Sequence, residues 1–396
     1  MIKAFKRKEK KKNPFYDPSL SSRHASAKRF KAFTLTSLIF SIAFLAFFLT
    51  DIVTKGTPAF KQAYLQIEVK YTKKSMEDSR VAVERKYRRV ISRSWLRAIP
   101  KEIENNPSLL GTTKVVWALA DDQVDQYLKG HHFKLKRKDR ALIDDMKAYG
   151  NVELKFNKIF FTNGDSKIPE FAGIKSAVIG SILTLLVTMV FAFPIGVMTA
   201  IYLEEFAEDN KFTQIIEVNI NNLAAIPSIL FGLLGLAIFI NLFGMPRSSP
   251  LVGGLTLALM TLPIIIVSSR AALRAVPDSI RQAGYGLGLT KIEVTRDHVL
   301  PLAFPGILTG SIIGLAQAMG ETAPLIIIGM IAFIPDSPSS IMEAATVMPA
   351  QLFTWAGMPE RMYIEKTAAG IMVLLTILLS LNALAIYLRK KYEVSW

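Results

Sequence analysis

Apolar residues fall in six long blocks along this chain, separated by polar segments. Each block is long enough to cross about 30 Å of hydrocarbon as a helix that rises 1.5 Å per residue. The blocks cover residues 33–49, 174–202, 223–243, 251–267, 302–333 and 368–388. This pattern predicts an all-α polytopic membrane protein with six transmembrane helices.

A polar stretch of roughly 120 residues follows the first block, which is too long for a simple connection. Residues 65, 67, 69 and 71 are apolar in alternation, as in a half-buried strand, and so are Val152, Leu154 and Phe156. Helical spacing relates Val81, Tyr87, Ile91, Trp95 and Ile99, beside Glu84 and Arg88, which are four residues apart. We therefore predict an inserted α+β domain.

Basic residues flank the apolar blocks and account for most of the net charge of +16. Such flanks mark the cytoplasmic side of a membrane protein. With six spans, the basic tail, the segment from Arg270 to Arg296 and the ending Arg389-Lys390-Lys391 all lie in the cytoplasm, as do both termini. The acidic loop 204–214 then also lies inside, and the insert lies outside, since long domains translocate largely regardless of charge.

These considerations divide the chain into a basic cytoplasmic tail (1–29), a transmembrane anchor (30–52), an extracytoplasmic domain (53–172) and a five-helix core (173–396). The first apolar run is longer than the apolar region of a cleavable signal and does not end at small residues, which favours an uncleaved anchor. The chain has no cysteine, so its cysteine usage gives no information on its compartment.

The cytoplasmic segment 270–302 combines Pro277 to Gly288 with Leu300-Pro301. Its residues predict a short helix, a turn that glycine permits, and a second helix leading to the proline that opens the next span. The spacing resembles the loop of ABC importer permeases that reads Glu-Ala-Ala, three residues, Gly, nine residues, Ile, one residue, Leu-Pro. The alternative is a basic amphipathic loop lying on the membrane surface.

In this alignment Ala283 and Gly288 match the family, whereas Gln282, Gly284 and His298 replace Glu, Ala and Ile. The resemblance implies that this segment fits a groove of an ATPase subunit and couples ATPase closure to the membrane helices. The residues it assigns to this contact are Arg281, Gln282, Ala283, Gly284, Gly288, Leu300 and Pro301.

Two further stretches resemble phosphate permeases of the PstA type, and the resemblance extends over residues 173–396. They are Ile226 to Leu236 and Ala318 to Leu325, the second containing Gly320-Glu321-Thr322-Ala323-Pro324. The resemblance implies the type I core of ABC importer permeases. Gln317 stands where the family commonly has Arg, and Val267-Ser268-Ser269-Arg270 stands where it has Arg-Thr-Thr-Glu.

The candidate residues of a translocation pathway offer hydroxyl, amide, guanidinium and carboxylate groups: Ser268, Ser269, Arg270, Gln317, Glu321 and Thr322. Arginine suits oxyanions, but Arg270 is also placed like an interfacial anchor. A carboxylate within a span needs a partner, so Glu321 either pairs with a basic residue, for instance on a sibling subunit, or closes a structural hydrogen-bond network.

The resemblance implies four contacts: a sibling permease (PstC type), an ATPase (PstB type), an extracytoplasmic phosphate-binding protein (PstS type) and membrane lipid, all at a bacterial inner membrane. We expect no catalysis, no cofactor and no nucleic acid, because ATP and Mg²⁺ belong to the partner ATPase and no phosphate-binding loop occurs here. His24, His131, His132 and His298 lack the spacing of a metal site. Another oxyanion (molybdate, sulfate or phosphonate) and a membrane-anchored sensor remain alternatives.

Overall fold

The computed structural model describes residues 20–131 and 135–392, and side chains at 22–131 and 135–391. Most of the predicted basic tail, together with His132, therefore lies outside the described residues. Contacts divide the chain into two units, one ending at Ile52 and one beginning at Val53. Each is described by itself.

The first unit consists of most of one long helix, α1 (Leu20–Gly56), which contains the predicted anchor 30–52. The helix is apolar enough and long enough to cross a membrane. Its hydroxyl groups bond within the helix, as Ser37 Oγ does to the carbonyl oxygen of Phe33 at 3.0 Å, so they need no water in a lipid environment.

Residues 61–162 of the second unit form the predicted α+β fold. Their elements are β1 (Lys61–Lys70), α2 (Lys73–Glu77), α3 (Arg93–Asn105), β2 (Thr113–Leu119), α4 (Asp122–Leu128), α5 (Arg137–Ala148), β3 (Val152–Phe156) and α6 (Lys158–Thr162). The strands form an antiparallel sheet in the order β2-β1-β3, with Leu65 opposite Ala118 and Val152. The strand predictions at 65–69 and 152–156 are confirmed.

The helical prediction for 81–91 is wrong. Val81 lies in a short 3₁₀ helix, and Ile91 forms a bridge to Ala120 that extends the edge of the sheet. Turns occupy residues 85–90, and the bridge holds Ile91 at the sheet, so α3 begins only at Arg93. Glu84 pairs with Lys86 at 2.9 Å instead of with Arg88.

The remaining helices form the apolar core of the chain. They are α7 (Lys175–Ile201), α8 (Lys211–Ala224), α9 (Ser228–Gly235), α10 (Pro250–Arg274), α11 (Asp278–Gly286), α12 (Lys291–Val294), α13 (Leu300–Gly320), α14 (Ala323–Ile327), α15 (Met348–Ala356) and α16 (Arg361–Tyr392). In the described ranges, five helices can cross a membrane, and a sixth span is formed if the bent pair 211–224 and 228–242 counts as one.

Two predicted spans differ from single helices. The block 223–243 turns by 102° at the break around Pro227, so its residues belong to two differently directed helical segments, 211–224 and 228–242, and not to one straight span. The block 302–333 ends as a helix at Gly320, because Pro324 lacks the N–H needed to continue the ladder.

Helix α10 lies at the centre of the core, between α7 and α13, where small residues let the helices approach closely. A Cβ on Gly196 would lie 2.7 Å from Ile265, and a Cβ on Gly310 would lie 2.2 Å from Ser268 Oγ. Substitution at either glycine would push two membrane helices apart.

The inserted domain is joined to the start of α16 by buried polar contacts. Lys129 Nζ lies 2.5 Å from Asp125 and 3.2 Å from Glu365. The Lys366 amine donates to the carbonyl oxygens of Pro169 and Ala172 at 2.5 and 2.6 Å. Within the second unit, the inserted domain and the last span are therefore fixed to each other.

Candidate functional site

The segment after α10 is the helix–turn–helix that the sequence predicts. Helix α11 ends at Gly286, and Gly288 has φ +83°, a conformation that glycine adopts without strain. The Thr290 hydroxyl and the Glu293 carboxylate then cap α12 reciprocally. The chain continues helically to Leu300 and Pro301 at the start of α13.

Gly284 faces α12. Gly284 is buried, and a Cβ there would lie 2.7 Å from Cγ2 of Val294. The glycine that replaces the family's second alanine therefore allows the close packing of α11 on α12. The departure from the family pattern has a local steric reason.

The outer surface of this helix–turn–helix is apolar and exposed. Leu287 is 81% exposed, Ile292 is 63% exposed and Tyr285 is 43% exposed. Gln282, Ala283 and Gly288 are exposed as well. A cluster of exposed apolar side chains at the tip of a rigid turn is typical of a surface that binds another protein.

Behind this surface, Arg281 is held by partners within the chain. Its guanidinium group bonds to Glu205 through Nη2 at 2.7 Å and Nε at 3.3 Å, and to the carbonyl oxygens of Val276 and Leu273. Nη1 also donates to Asp278 at 3.2 Å, so all five N–H groups of Arg281 have acceptors within the chain.

The acidic loop supplies similar partners to the end of α10. Glu204 accepts from Arg270 at 3.2 Å and from Arg274 at 2.7 Å, and Glu217 of α8 accepts from Arg270 at 2.6 Å. These contacts join the ends of α7 and α10 to α8. Sequence reasoning did not assign a role to Glu204, Glu205 and Glu217, although acidic residues beside a basic cytoplasmic segment were the available signal.

The two stretches that resemble phosphate permeases contact each other. A Cβ on Gly232 would lie 2.7 Å from Pro324 Cα and 2.9 Å from its carbonyl oxygen. Phe231 and Leu325 are buried in the same apolar cluster. The close approach of α9 to α14 thus supports the interrupted backbone at Glu321 and Thr322, as broken helices within a membrane require.

The pathway candidates lie at two levels. Gly310 of α13 faces Ser268, and Gln317 lies two turns farther along α13, about 10 Å away along its axis. Ser268 and Arg270 therefore lie nearer the end of α10 that carries Arg274, whereas Gln317, Glu321 and Thr322 lie farther from it. Ser269 is buried, and its hydroxyl has no hydrogen-bond partner among the described residues.

Glu321 is half-buried at the break after α13. Within residues 20–131 and 135–392, no side chain hydrogen-bonds or pairs with its carboxylate. One explanation for a carboxylate at this position was a structural hydrogen-bond network within the chain. The described residues show no such network around Glu321. The other explanation, a basic partner on a sibling subunit, stays a prediction.

The histidines are spread over different environments. His298 is exposed at the base of α13, and His131 Nε2 lies 3.5 Å from Glu365. The described part of the chain contains no group of three or more His, Asp or Glu side chains arranged to hold a metal ion.

Two known families match this chain. The family described as binding-protein-dependent transport system inner membrane component matches residues 192–394. A domain of unknown function (DUF3333) matches residues 17–86 and 76–136, which include α1 and much of the inserted domain.

Several curated proteins are similar over the core. A probable ABC transporter permease protein, YqgI of Bacillus subtilis, is 28% identical over 59% of this chain and 83% of its own length. The phosphate transport system permease protein PstA of Yersinia pestis is 31% identical over 56% of this chain and 74% of its own length. The PstA protein of Mycobacterium leprae is 36% identical over 40% of this chain, which spans about half (52%) of that relative.

Proposed function

This chain belongs to the family of binding-protein-dependent transport system inner membrane components, and we propose that it is the permease subunit of an ATP-driven importer of inorganic phosphate. Two of the similar proteins carry the name phosphate transport system permease protein PstA. The contact of Gly232 with Pro324 supports the same assignment, because it joins the two stretches on which the resemblance depends.

The observation that carries this proposal is the exposed tip of the helix–turn–helix. Leu287, Ile292 and Tyr285 offer an apolar surface that an ATPase groove would cover. The ion pair of Arg281 with Glu205 fixes α11 to the end of α7, so a displacement of the tip is transmitted to the membrane helices. A flexible loop would move without displacing the membrane helices.

The proposed orientation follows from this contact. If the tip lies in the cytoplasm with its ATPase, both termini lie there too, and the inserted domain lies outside, where a binding protein delivers phosphate. A sibling permease of the PstC type completes the pathway in the bacterial inner membrane, surrounded by lipid. The chain itself carries out no catalysis and needs no cofactor, since ATP and Mg²⁺ are bound by the ATPase.

The test is phosphate uptake in a strain that lacks this subunit, complemented with the wild-type chain and with Leu287→Glu. The substitution places a charge on the apolar tip without touching the packed core. We expect the variant to insert normally but to lose both ATPase co-purification and uptake. Tyr149→Glu is the matched control, because Tyr149 is 82% exposed on the inserted domain, and it should behave as wild type.

Competition with molybdate, sulfate and phosphonate tests the cargo in the same assay. Wild type that restores no phosphate uptake in the presence of its partners would contradict phosphate as the cargo. A Leu287→Glu chain that still binds the ATPase would contradict the docking surface while leaving the family assignment unaffected.

A further inference from the structure

The inserted domain carries a cavity of about 660 Å³ with an unusual concentration of arginine. Six arginines line it, and we call it the arginine pocket: Arg80, Arg85, Arg88, Arg89, Arg93 and Arg97. A second cavity of about 640 Å³ shares Arg85 and Arg89 with it and adds Lys86 and Lys138. The two cavities adjoin at these arginines, and Asp139 and Asp145 also line the second one.

The arginines converge because of local structure. Leu96, Ile99 and Ile103 face the domain core, so Arg93 and Arg97, one turn apart on α3, share the opposite face. The Arg88 guanidinium is oriented by a 3.1 Å bond from Nε to the carbonyl oxygen of Val83. The short 3₁₀ helix at Arg80 and the turns at residues 85–90 bring the other arginines to the same cavity.

Carboxylates do not neutralise this charge. Glu77 and Asp78 lie at the pocket, but the Asp78 carboxylate accepts the backbone N–H of Arg80. None of the six guanidinium groups lies within 4.0 Å of a carboxylate in the described parts of the chain. Unpaired guanidinium groups around one cavity attract an anion, and their planar forks suit the oxygens of phosphate.

A series of hydrogen bonds connects the segment that carries the pocket to Asp125. The Val90 carbonyl oxygen accepts the N–H of Asp121 at 3.0 Å, and the neighbouring Ala120 N–H donates to Ala63 at 3.0 Å. The Ala63 N–H in turn donates to Asp125, at 2.8 Å. These bonds connect Val90, the neighbour of Arg89 in the chain, to Asp125.

Asp125 is connected to the start of α16 through Lys129. It shares Lys129 with Glu365, which lies near the start of α16 and three residues before the apolar run that begins at residue 368. Headgroups occupy roughly 5–8 Å beyond the hydrocarbon on each side of a bilayer. The inserted domain is therefore fixed to the start of a helix that is long and apolar enough to cross a membrane, and phospholipid headgroups lie at the ends of such a helix.

We propose that the arginine pocket binds a phosphate group, and that the source of this group is the headgroup of an anionic phospholipid in the adjacent leaflet. The inserted domain would then be anchored to the bilayer beside the helices it precedes. Free inorganic phosphate has the same chemistry and is the other source to be separated by experiment. The proposal concerns a site apart from the translocation pathway.

The experiment is calorimetric titration of the purified full chain in a neutral detergent with three ligands: dihexanoyl-phosphatidylglycerol, dihexanoyl-phosphatidylcholine and inorganic phosphate. The test variant is Arg89→Gln/Arg93→Gln/Arg97→Gln, in which all three side chains are exposed. We expect saturable binding of phosphatidylglycerol, at least tenfold weaker binding by the variant, and weaker binding of phosphatidylcholine by wild type.

The matched control removes the same charge from exposed lysines outside both cavities, in Lys101→Gln/Lys114→Gln/Lys147→Gln, and should bind within twofold of wild type. A second variant, Arg89→Lys/Arg93→Lys/Arg97→Lys, keeps the positive charges but lacks the planar guanidinium groups. It should bind phosphatidylglycerol several-fold more weakly than wild type does. Equal binding by either 89/93/97 variant and wild type would overturn the proposal.

The remaining outcomes identify the source. Inorganic phosphate that binds with the same arginine dependence and displaces phosphatidylglycerol would support the phosphate site and replace the lipid as its source. Absence of binding by all three ligands would overturn the proposal. An acidic binding protein retained by wild type but not by the glutamine variant would in that case make the pocket a protein-docking surface.

Discussion

Arg281 of α11 and Glu205 at the end of α7 form a two-point ion pair, with Nη2 to Oε1 at 2.7 Å and Nε to Oε2 at 3.3 Å. The Glu205 side chain is only 4% exposed. A bidentate pair in a buried position has a defined geometry, unlike an exposed pair between mobile side chains. It therefore links the exposed tip to a membrane helix as a rigid connection.

The first prediction concerns this pair. Arg281→Gln leaves the Glu205 carboxylate buried without its cation and should lower the free energy of unfolding by about 3 kcal/mol. The double variant Arg281→Gln/Glu205→Gln should lose less free energy of unfolding than the two single variants lose in sum, because it no longer contains a buried, unpaired carboxylate. Thermal unfolding of the four purified chains measures this coupling.

The control is Arg296→Gln, which breaks the exposed pair of Arg296 with Asp297 at 2.7 Å. It should cost no more than about 1 kcal/mol. Strict additivity of the Arg281 and Glu205 changes would show that the two residues act independently and would contradict a rigid connection.

A second prediction tests the contact between the two stretches that resemble phosphate permeases. Gly232→Ala places a methyl group 2.7 Å from the backbone of Pro324, so α9 and α14 must separate. We expect a loss of about 1–3 kcal/mol, typical of overpacking, together with reduced uptake. Gly357→Ala is the control, since its new Cβ would meet only Thr354 at an ordinary 3.5 Å. Equal behaviour of both variants would refute the contact.

A third prediction explains the departure at position 284. Gly284→Ala restores the family residue but should destabilise the chain, because the new Cβ would lie 2.7 Å from Val294. Val294→Ala removes the obstructing methyl groups, so the double variant should lose less stability than the two single losses combined. Co-purification with the ATPase and thermal unfolding provide two separate measurements. A stabilising effect of Gly284→Ala alone would show that α11 and α12 pack differently.

The fourth prediction concerns pH. Burial, followed by the neighbouring carboxylates of Asp122 and Glu170, raises the pKa of Asp121 to about 7. An unfolded aspartate has a pKa near 3.9. Between about pH 4 and 7 the folded chain thus binds more protons than the unfolded chain, so this group makes the free energy of unfolding fall as the pH rises.

Asp121→Asn should remove this contribution while keeping an oxygen to accept the N–H of Gln123, which Asp121 now accepts at 3.2 Å. Unfolding temperatures at several values between pH 5 and 8 should therefore decline less steeply for the variant than for wild type. The exposed Asp145 offers the control, and Asp145→Asn should keep the wild-type slope. An unchanged slope for Asp121→Asn would disprove the assignment.

Local sequence signals predicted the features that depend on one residue and its neighbours. Gly288 adopts φ +83° where a glycine turn was expected, and Leu65, Ile67 and Val69 point into the core from one face of β1. Both outcomes follow from backbone freedom and period-2 alternation. Apolar length likewise predicted the membrane helices.

Features that depend on distant partners were not predictable in this way. Glu204 meets Arg270, which is 66 residues away, and no local periodicity encodes that pair. The fifth apolar block was predicted from hydropathy to continue to residue 333, whereas the helix ends at Gly320. Pro324 was the sequence signal for this interruption. Ile91 was assigned to a helix because its bridge to Ala120 was not visible from spacing.

The contact of Lys129 with Glu365 has a consequence for biosynthesis. The two residues are 236 positions apart, so the inserted domain leaves the ribosome long before the helix that holds its partner carboxylate. During synthesis, Lys129 and Asp125 lack the Glu365 carboxylate until α16 has entered the membrane. Contacts between residues so far apart in the chain form slowly. A helix synthesised much later thus completes the inserted domain, and a nascent chain that stops short of residue 365 leaves that domain without the Glu365 carboxylate and more open to proteolysis.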